Sequence, residues 1–185
     1  MYHAIAGPDS VLGKMLRAAK LEIGLYDEVR HESASTSEAF QAIVIIAISA
    51  GLGRAIGSLD RGIGVAGATL AVAVVAALIS WVVMSVATYF VATAILGGKA
   101  SPGALLRVLA FAEAPTVLNL LRFVPILGTV VVSLTFGWTL ITLIVALRQA
   151  LDVGTGRAIA TAVLAFIPTL VVGTIVAFPL VLLRG

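Results

Sequence analysis

The longest stretch without a charged residue, from Gly62 to Gly98, decides what class of protein this chain can form. Charged residues make up only 11% of the 185 residues, whereas hydrophobic residues make up 61%. A water-soluble domain of this size still exposes roughly 30% of the surface that its unfolded chain exposes, and this chain has too few polar side chains to cover that surface. The sequence therefore predicts an integral membrane protein, an all-α transmembrane helix bundle.

Charge-poor segments follow one another along the chain and predict about five transmembrane helices. A single helix from Gly62 to Gly98 would be about 55 Å long, well beyond a hydrocarbon core of roughly 30 Å. We therefore expect Gly62, Gly64 and Gly67 to form a loop before the second span. The five predicted spans cover about residues 38–53, 68–96, 102–121, 126–147 and 158–183.

The basic residues predict the orientation, because Lys and Arg are favoured at the cytoplasmic ends of transmembrane helices. With the N-terminus inside, eight of the twelve lie on the cytoplasmic side. These are Lys14, Arg17, Lys20, Arg30, Lys99, Arg107, Arg148 and Arg157, against Arg54, Arg61, Arg122 and Arg184 outside. The chain is expected to have a cytoplasmic N-terminus and an external C-terminus.

The N-terminal segment, residues 1–37, differs in composition from the membrane domain at 38–185, since it holds five of the nine acidic residues. Apolar residues recur there at spacings of three and four, as in an amphipathic helix: Leu12, Met15, Leu16, Ala19, Ile23 and Tyr26. Asp9 or Ser10 is expected to cap this helix, and Gly24 to weaken it. The helix either lies in the cytoplasmic headgroup layer or packs against the ends of the spans.

Several kinds of chemistry are excluded by composition. The chain has no cysteine, so it has no disulfide and no thiolate nucleophile or metal ligand. Its two histidines, His3 and His31, have no other ligand at suitable spacing. No nucleotide-binding or catalytic motif occurs, and the basic pI near 9.7 is explained by membrane orientation. We predict that the protein is not an enzyme, has no cofactor or metal and binds no nucleic acid.

The candidate polar site lies inside the membrane domain. Glu113 is the one acidic residue in the interior of a predicted span, since Glu38 lies at the start of the first, and such a group normally faces the bundle and finds a partner. It is expected at a depth similar to that of Arg107, Arg148 and Arg157, with Asn119 further along the same helix. Glu113 is either a structural carboxylate paired with one of these arginines or part of a proton or ion relay.

Small residues recur every four positions on three predicted spans. Such stripes let helix backbones approach closely in lipid. They favour packing within the chain, with association of two copies as the alternative. The stripes are Thr69, Ala73 and Ala77, then Thr129, Ser133 and Gly137, then Thr169, Gly173 and Ala177.

Motifs along nearly the whole chain resemble the prokaryotic branch of the Ypt/Rab-interacting-protein (Yip) domain family. They are RAAKLEIGLYDEVR at 17–30, AGLG at 50–53, RVLAFAEAP at 107–115, LNLL at 118–121, FVPILG at 123–128, Trp138, ALRQALD at 146–152 and TGRA at 155–158. The resemblance implies a five-span fold with a cytoplasmic N-terminus in the cytoplasmic membrane of a prokaryote. For eukaryotic relatives it implies binding of prenylated Rab-type GTPases, but the D-L-Y-G-P-type motif that accompanies that role is absent here.

Three functional hypotheses follow. The first is a non-enzymatic membrane scaffold or interaction protein, whose partners are the lipid bilayer and another membrane protein or a second copy. The second is an accessory subunit of a larger membrane complex. The third is a small transporter or channel that uses the region of Glu113.

Overall fold

The computed structural model describes residues 7–33 and 35–182, and throughout them the chain forms helices and no strand. The predicted all-α helix bundle is confirmed. The α-helices are α1 (Val11–Ala19), α2 (Ile23–His31), α3 (Ser35–Ile56), α4 (Ile63–Phe90), α5 (Pro102–Ala112), α6 (Leu127–Leu151) and α7 (Thr155–Leu182). A 3-10 turn lies at Leu59–Arg61, a π-turn extends α4 at Val91–Ile95, and a 3-10 segment at Ala114–Phe123 follows α5.

Four helices are long and apolar enough to cross a membrane, namely α3, α4 with its π-turn, α6 and α7. The predicted loop before the second span is wrong in extent, because α4 already begins at Ile63 and contains Gly64 and Gly67. Of the three glycines predicted to form this loop, Gly62 alone has a backbone that favours glycine, with φ at 107°. The resulting 33-residue helix is about 50 Å long and must tilt or project beyond the hydrocarbon.

The candidate for a fifth span is bent. Helix α5 and the 3-10 segment meet at an angle of 42°, next to Pro115, which has no N–H to continue an α-helical ladder. At one end of this pair the Arg107 side chain contacts Thr36 in the first turn of α3. At the other end the backbone of Asn119 lies against Gly53, near the last turn of α3. The pair therefore runs along α3 from one end to the other, as a single bent span would.

Helix α5 lies at the centre of the bundle. It contacts α3, α4 and α6, while α7 packs against α4 and α6. From Val108 to Ala112 all five side chains are buried, as expected for a segment that is apolar on every side. This central position means that polar groups on α5 must find partners inside the protein.

The N-terminal segment forms two helices, so the prediction of one continuous helix is wrong. Ser10 caps α1 as expected, since its hydroxyl accepts a hydrogen bond of 3.1 Å from the Gly13 N–H. The helix then ends before Leu21, which has a left-handed backbone with φ at 62°. The break reverses the chain, so that α1 and α2 form a helical hairpin, residues 11–31.

The hairpin packs against the bundle. Met15, Ala18, Leu25, Tyr26 and Val29 are buried in the same core as α5 and α6. Of the two predicted arrangements, the structure thus shows packing against the spans. The predicted domain boundary between 37 and 38 falls inside α3, while residues 1–6 with His3, and the predicted end of the last span at 183, lie outside the described residues.

Candidate functional site

Arg107 joins the N-terminal hairpin to the centre of the membrane domain. Its side chain is 8% exposed; Nε donates to the Val29 carbonyl at 2.7 Å and Nη2 to the Arg30 carbonyl at 2.6 Å. Nη1 donates to the Thr36 hydroxyl at 3.3 Å. The two carbonyls belong to the last turn of α2, where backbone oxygens have no partner within the helix and carry partial negative charge. Arg107 therefore caps the C-terminus of α2 from another helix.

Two more helix C-termini in this region are capped in the same way. Arg30 Nη1 donates to the Gln149 carbonyl, in the last turn of α6, at 2.6 Å. Trp138, on α6, donates its indole N–H to the carbonyl of Ala19, the last residue of α1, at 2.8 Å. The hydroxyl of the fully buried Tyr26 donates to the Ala18 carbonyl at 3.2 Å. We call this arrangement the capping cluster: Ala18, Ala19, Tyr26, Val29, Arg30, Arg107, Trp138 and Gln149.

A charged cluster reinforces the hairpin beside α3. Lys14 is only 4% exposed, and its Nζ lies 2.7 Å from Glu38, 3.3 Å from Glu28 and 3.6 Å from Glu32. Burial lowers the pKa of Lys14, but hydrogen bonds with Glu38 and Glu28 outweigh this effect and leave the pKa raised. Lys14 is thus held as a cation that ties α1 to both α2 and α3.

Arg17 extends this ionic network along the hairpin. It forms ion pairs with Glu22 at 2.9 Å and with Glu28 at 3.0 Å. These two acids raise the pKa of Arg17, the hydrogen bond with Glu22 being the largest contribution and outweighing the effect of burial. Because one pair crosses the turn and the other joins the two helices, Arg17 holds the hairpin closed.

The five predicted site residues are not brought together. No ion pair joins Glu113 to Arg107, Arg148 or Arg157. Arg107 points to α2, and residues six apart on a helix lie about 120° apart around the axis and 9 Å apart along it, which separates Arg107 from Glu113. Arg148 lies in the last turn of α6 and Arg157 in the first turn of α7, and both side chains are exposed.

Glu113 lies at the break between α5 and the 3-10 segment, and its side chain is half-buried. The backbone groups released by the break find partners. Thr142 of α6 donates to the Ala112 carbonyl at 2.7 Å, and Thr116 donates to the Glu113 carbonyl at 2.6 Å. Asn119 joins the 3-10 segment to α6, its Oδ1 lying 2.9 Å from the Thr135 hydroxyl. Neighbouring helices thus stabilise the break, as expected for an interrupted span.

The capping cluster was missed by the reasoning from sequence. Trp138 lies within an apolar span, and its position gives no sign of a partner on α1. Lys14 carried a weak signal, because it lies beside Met15 and one turn from Ala18, both of which are buried. A lysine next to an inward face, followed by acids at 28, 32 and 38, is the pattern of a buried ionic network. Within 7–33 and 35–182 no three His, Asp or Glu residues form a group that could hold a metal ion.

The comparison with known families shows to which family the chain belongs. Residues 26–178 match the model of the Yip1 domain. The chain belongs to the Yip1 domain family. No curated protein and no solved structure is similar enough to match it. The match begins inside α2 and includes Arg30, Arg107 and Trp138, so most of the capping cluster lies within the Yip1 domain, whereas α1 precedes it.

Proposed function

We propose that this Yip1-domain protein is a non-enzymatic membrane scaffold of the prokaryotic branch of the family, and that its N-terminal hairpin is the fixed platform through which it engages a membrane-protein partner. The observation that carries the proposal is the capping cluster. Three helix C-termini are satisfied by side chains from other elements, which holds the hairpin in one position on the bundle.

The platform has a polar edge suited to contact with a protein. Asp27 and His31 are exposed on α2, beside the end of α6 that Arg30 caps. Polar residues on a rigid support lose little conformational entropy on binding, which favours their use in an interface. A partner is therefore expected to contact α2 rather than the buried ionic network behind it.

Affinity purification from a mild detergent tests the scaffold. The native chain should retain a defined membrane-protein partner, and a variant with Asp27→Ala and His31→Ala should retain less of it. Asp60→Ala, at an exposed acid of the turn between α3 and α4, is the control. Equal retention by all three proteins would contradict the role of the hairpin; a partner bound through the spans alone would instead favour an accessory subunit.

Membrane topology gives a second test. If the bent pair of α5 and the 3-10 segment is one span, the chain crosses the membrane five times, and we propose that its N-terminus is cytoplasmic. Reporter fusions after residues 37, 58, 100, 152 and 185 should then report inside, outside, inside, inside and outside. A C-terminal reporter on the same side as the N-terminus would show that the bent pair does not cross.

A transporter or channel is the second candidate, favoured by an intramembrane carboxylate at an interrupted helix. Glu113→Gln is expected to leave the melting temperature in detergent unchanged or higher, because none of the three predicted arginines loses a partner. Proton flux into vesicles then separates the candidates. Flux through the native protein that Glu113→Gln abolishes and Asp60→Asn preserves would support transport. Absence of flux through the native protein would support the scaffold.

A further inference from the structure

Helix α1 departs from the arrangement expected in water, because it buries a cation beside Met15 and Ala18 and exposes two leucines. The charged side chain of Lys14 is 4% exposed, whereas Leu12 and Leu16, one turn apart on the outer face, are 44% and 57% exposed. Ile23, at the start of α2, is 55% exposed. A helix that buries a cation and presents leucines outward has surroundings less polar than its interior contacts.

The position of the hairpin on α6 indicates what those surroundings are. Trp138 of α6 binds the end of α1. It lies 13 residues before Leu151, the last residue of α6, whose C-terminus Arg30 caps. At 1.5 Å per residue this is about 20 Å along the helix. The turn of the hairpin therefore lies alongside the membrane-spanning part of α6, far from the C-terminal end of that helix.

The hairpin lies beside an apolar surface of α6, to which the contact between Trp138 and the Ala19 carbonyl joins it. Leu134 and Ile141 flank Trp138 on the same side of the helix and are 66% and 53% exposed. Both belong to a helix long and apolar enough to span the membrane, so this surface faces lipid. The hairpin, which exposes Leu12, Leu16 and Ile23, is thus held by Trp138 at the level of a lipid-facing surface.

We propose that the N-terminal hairpin is inserted into the leaflet on its own side of the membrane, with Leu12, Leu16 and Ile23 in contact with lipid acyl chains. This assignment depends on the membrane-spanning bundle and not on a scaffold role. It explains why the charged groups of α1 turn inward: Lys14 and Arg17 find their acids on the protein side, where ion pairing replaces hydration.

Lys20 limits the depth of insertion. It lies one turn beyond Leu16 on the same exposed face, and a lone ammonium in the hydrocarbon is costly unless its stem reaches the headgroups or the leaflet thins around it. The hairpin is thus a re-entrant element of one leaflet, and it does not cross the membrane.

Spin labels test this insertion directly, because the chain contains no cysteine and every single-cysteine variant carries one label. Full-length Leu12→Cys and Leu16→Cys proteins are labelled with a nitroxide and reconstituted alone into lipid vesicles. Leu134→Cys is the lipid-facing control and Ser33→Cys, at an exposed polar position, the aqueous one. Relaxation by oxygen relative to a water-soluble nickel chelate should be several-fold higher at Leu12 and Leu16 than at Ser33, and close to that at Leu134.

Two results would overturn the proposal. Labels at 12 and 16 that meet the nickel chelate as often as the label at 33 would place the apolar face in water, free for a protein partner. Labels shielded from both reagents would place that face against a second copy of the chain. Native-like melting of each labelled protein in detergent excludes misfolding as the cause, since both positions are on the surface.

Discussion

Replacing Arg107 with Met is expected to lower the free energy of unfolding in detergent by about 2–4 kcal/mol, because each buried acceptor left without a donor costs about 1–3 kcal/mol. The substitution keeps a long apolar stem but leaves the carbonyls of Val29 and Arg30 without their donors. Buried acceptors that lose their hydrogen bonds carry the full cost of desolvation. The loss should appear as a lower melting temperature and as new proteolytic cleavage within residues 7–33.

Two further variants separate this effect from a general loss of charge. Arg107→Lys keeps the cation but offers no planar fork for two carbonyls, so its stability should lie between those of the native protein and Arg107→Met. Arg148→Met removes an exposed arginine and should change stability by no more than about 0.5 kcal/mol. If Arg107→Met were as stable as Arg148→Met, Arg107 would not hold the hairpin.

Gly53→Ala is expected to destabilise the membrane domain by about 1–3 kcal/mol or more, as overpacking does in a close-packed core. A Cβ at position 53 would overlap the Asn119 carbonyl oxygen and lie 2.8 Å from that of Leu120. These are backbone atoms that cannot rotate away. The substitution should force α3 and the 3-10 segment apart, and its melting temperature in detergent should fall accordingly.

Gly137→Ala is the matched control, because Gly137 also lies in a membrane-spanning helix but has no atom within 4 Å of a Cβ built there. Alanine in a helix interior is favoured over glycine by roughly 0.5–1 kcal/mol. This variant should be as stable as the native protein or slightly more so. Equal melting temperatures of the two alanine variants would show that the close approach of the backbones at Gly53 is not required for stability.

Much of the membrane domain is predictable, because hydrophobicity alone indicates where its spans lie. A helix in lipid must satisfy its backbone internally and carry apolar side chains over about 20 residues, so charge-poor runs mark α3, α4, α6 and α7 without reference to their neighbours. The broken span was harder. Its apolar content predicts a span, but the bend at Pro115 and the contact between Thr142 and Ala112 depend on how α6 packs beside it.

The candidate site shows how far reasoning from sequence reaches. An intramembrane acid favours an ion pair with an arginine on the same side of the membrane, and the sequence therefore predicts Arg107, Arg148 or Arg157 as the partner of Glu113. In the structure Arg107 donates hydrogen bonds to the last turn of α2. One of its acceptors, the Arg30 carbonyl, is 77 positions away in sequence. Helix C-termini need donors, but a sequence does not show which distant side chain will reach them.

The sequence by itself determined that this chain is a helical membrane protein, that its first helix begins at Asp9 or Ser10 and that its motifs resemble the Yip family. Only the tertiary structure decided that the N-terminal segment folds back at Leu21, which face of α1 turns inward and what Arg107 binds. The physical reason is that the period of an amphipathic helix shows that its two faces differ. Which face is buried depends on whether water, lipid or protein lies outside it, and that is a property of the assembled bundle.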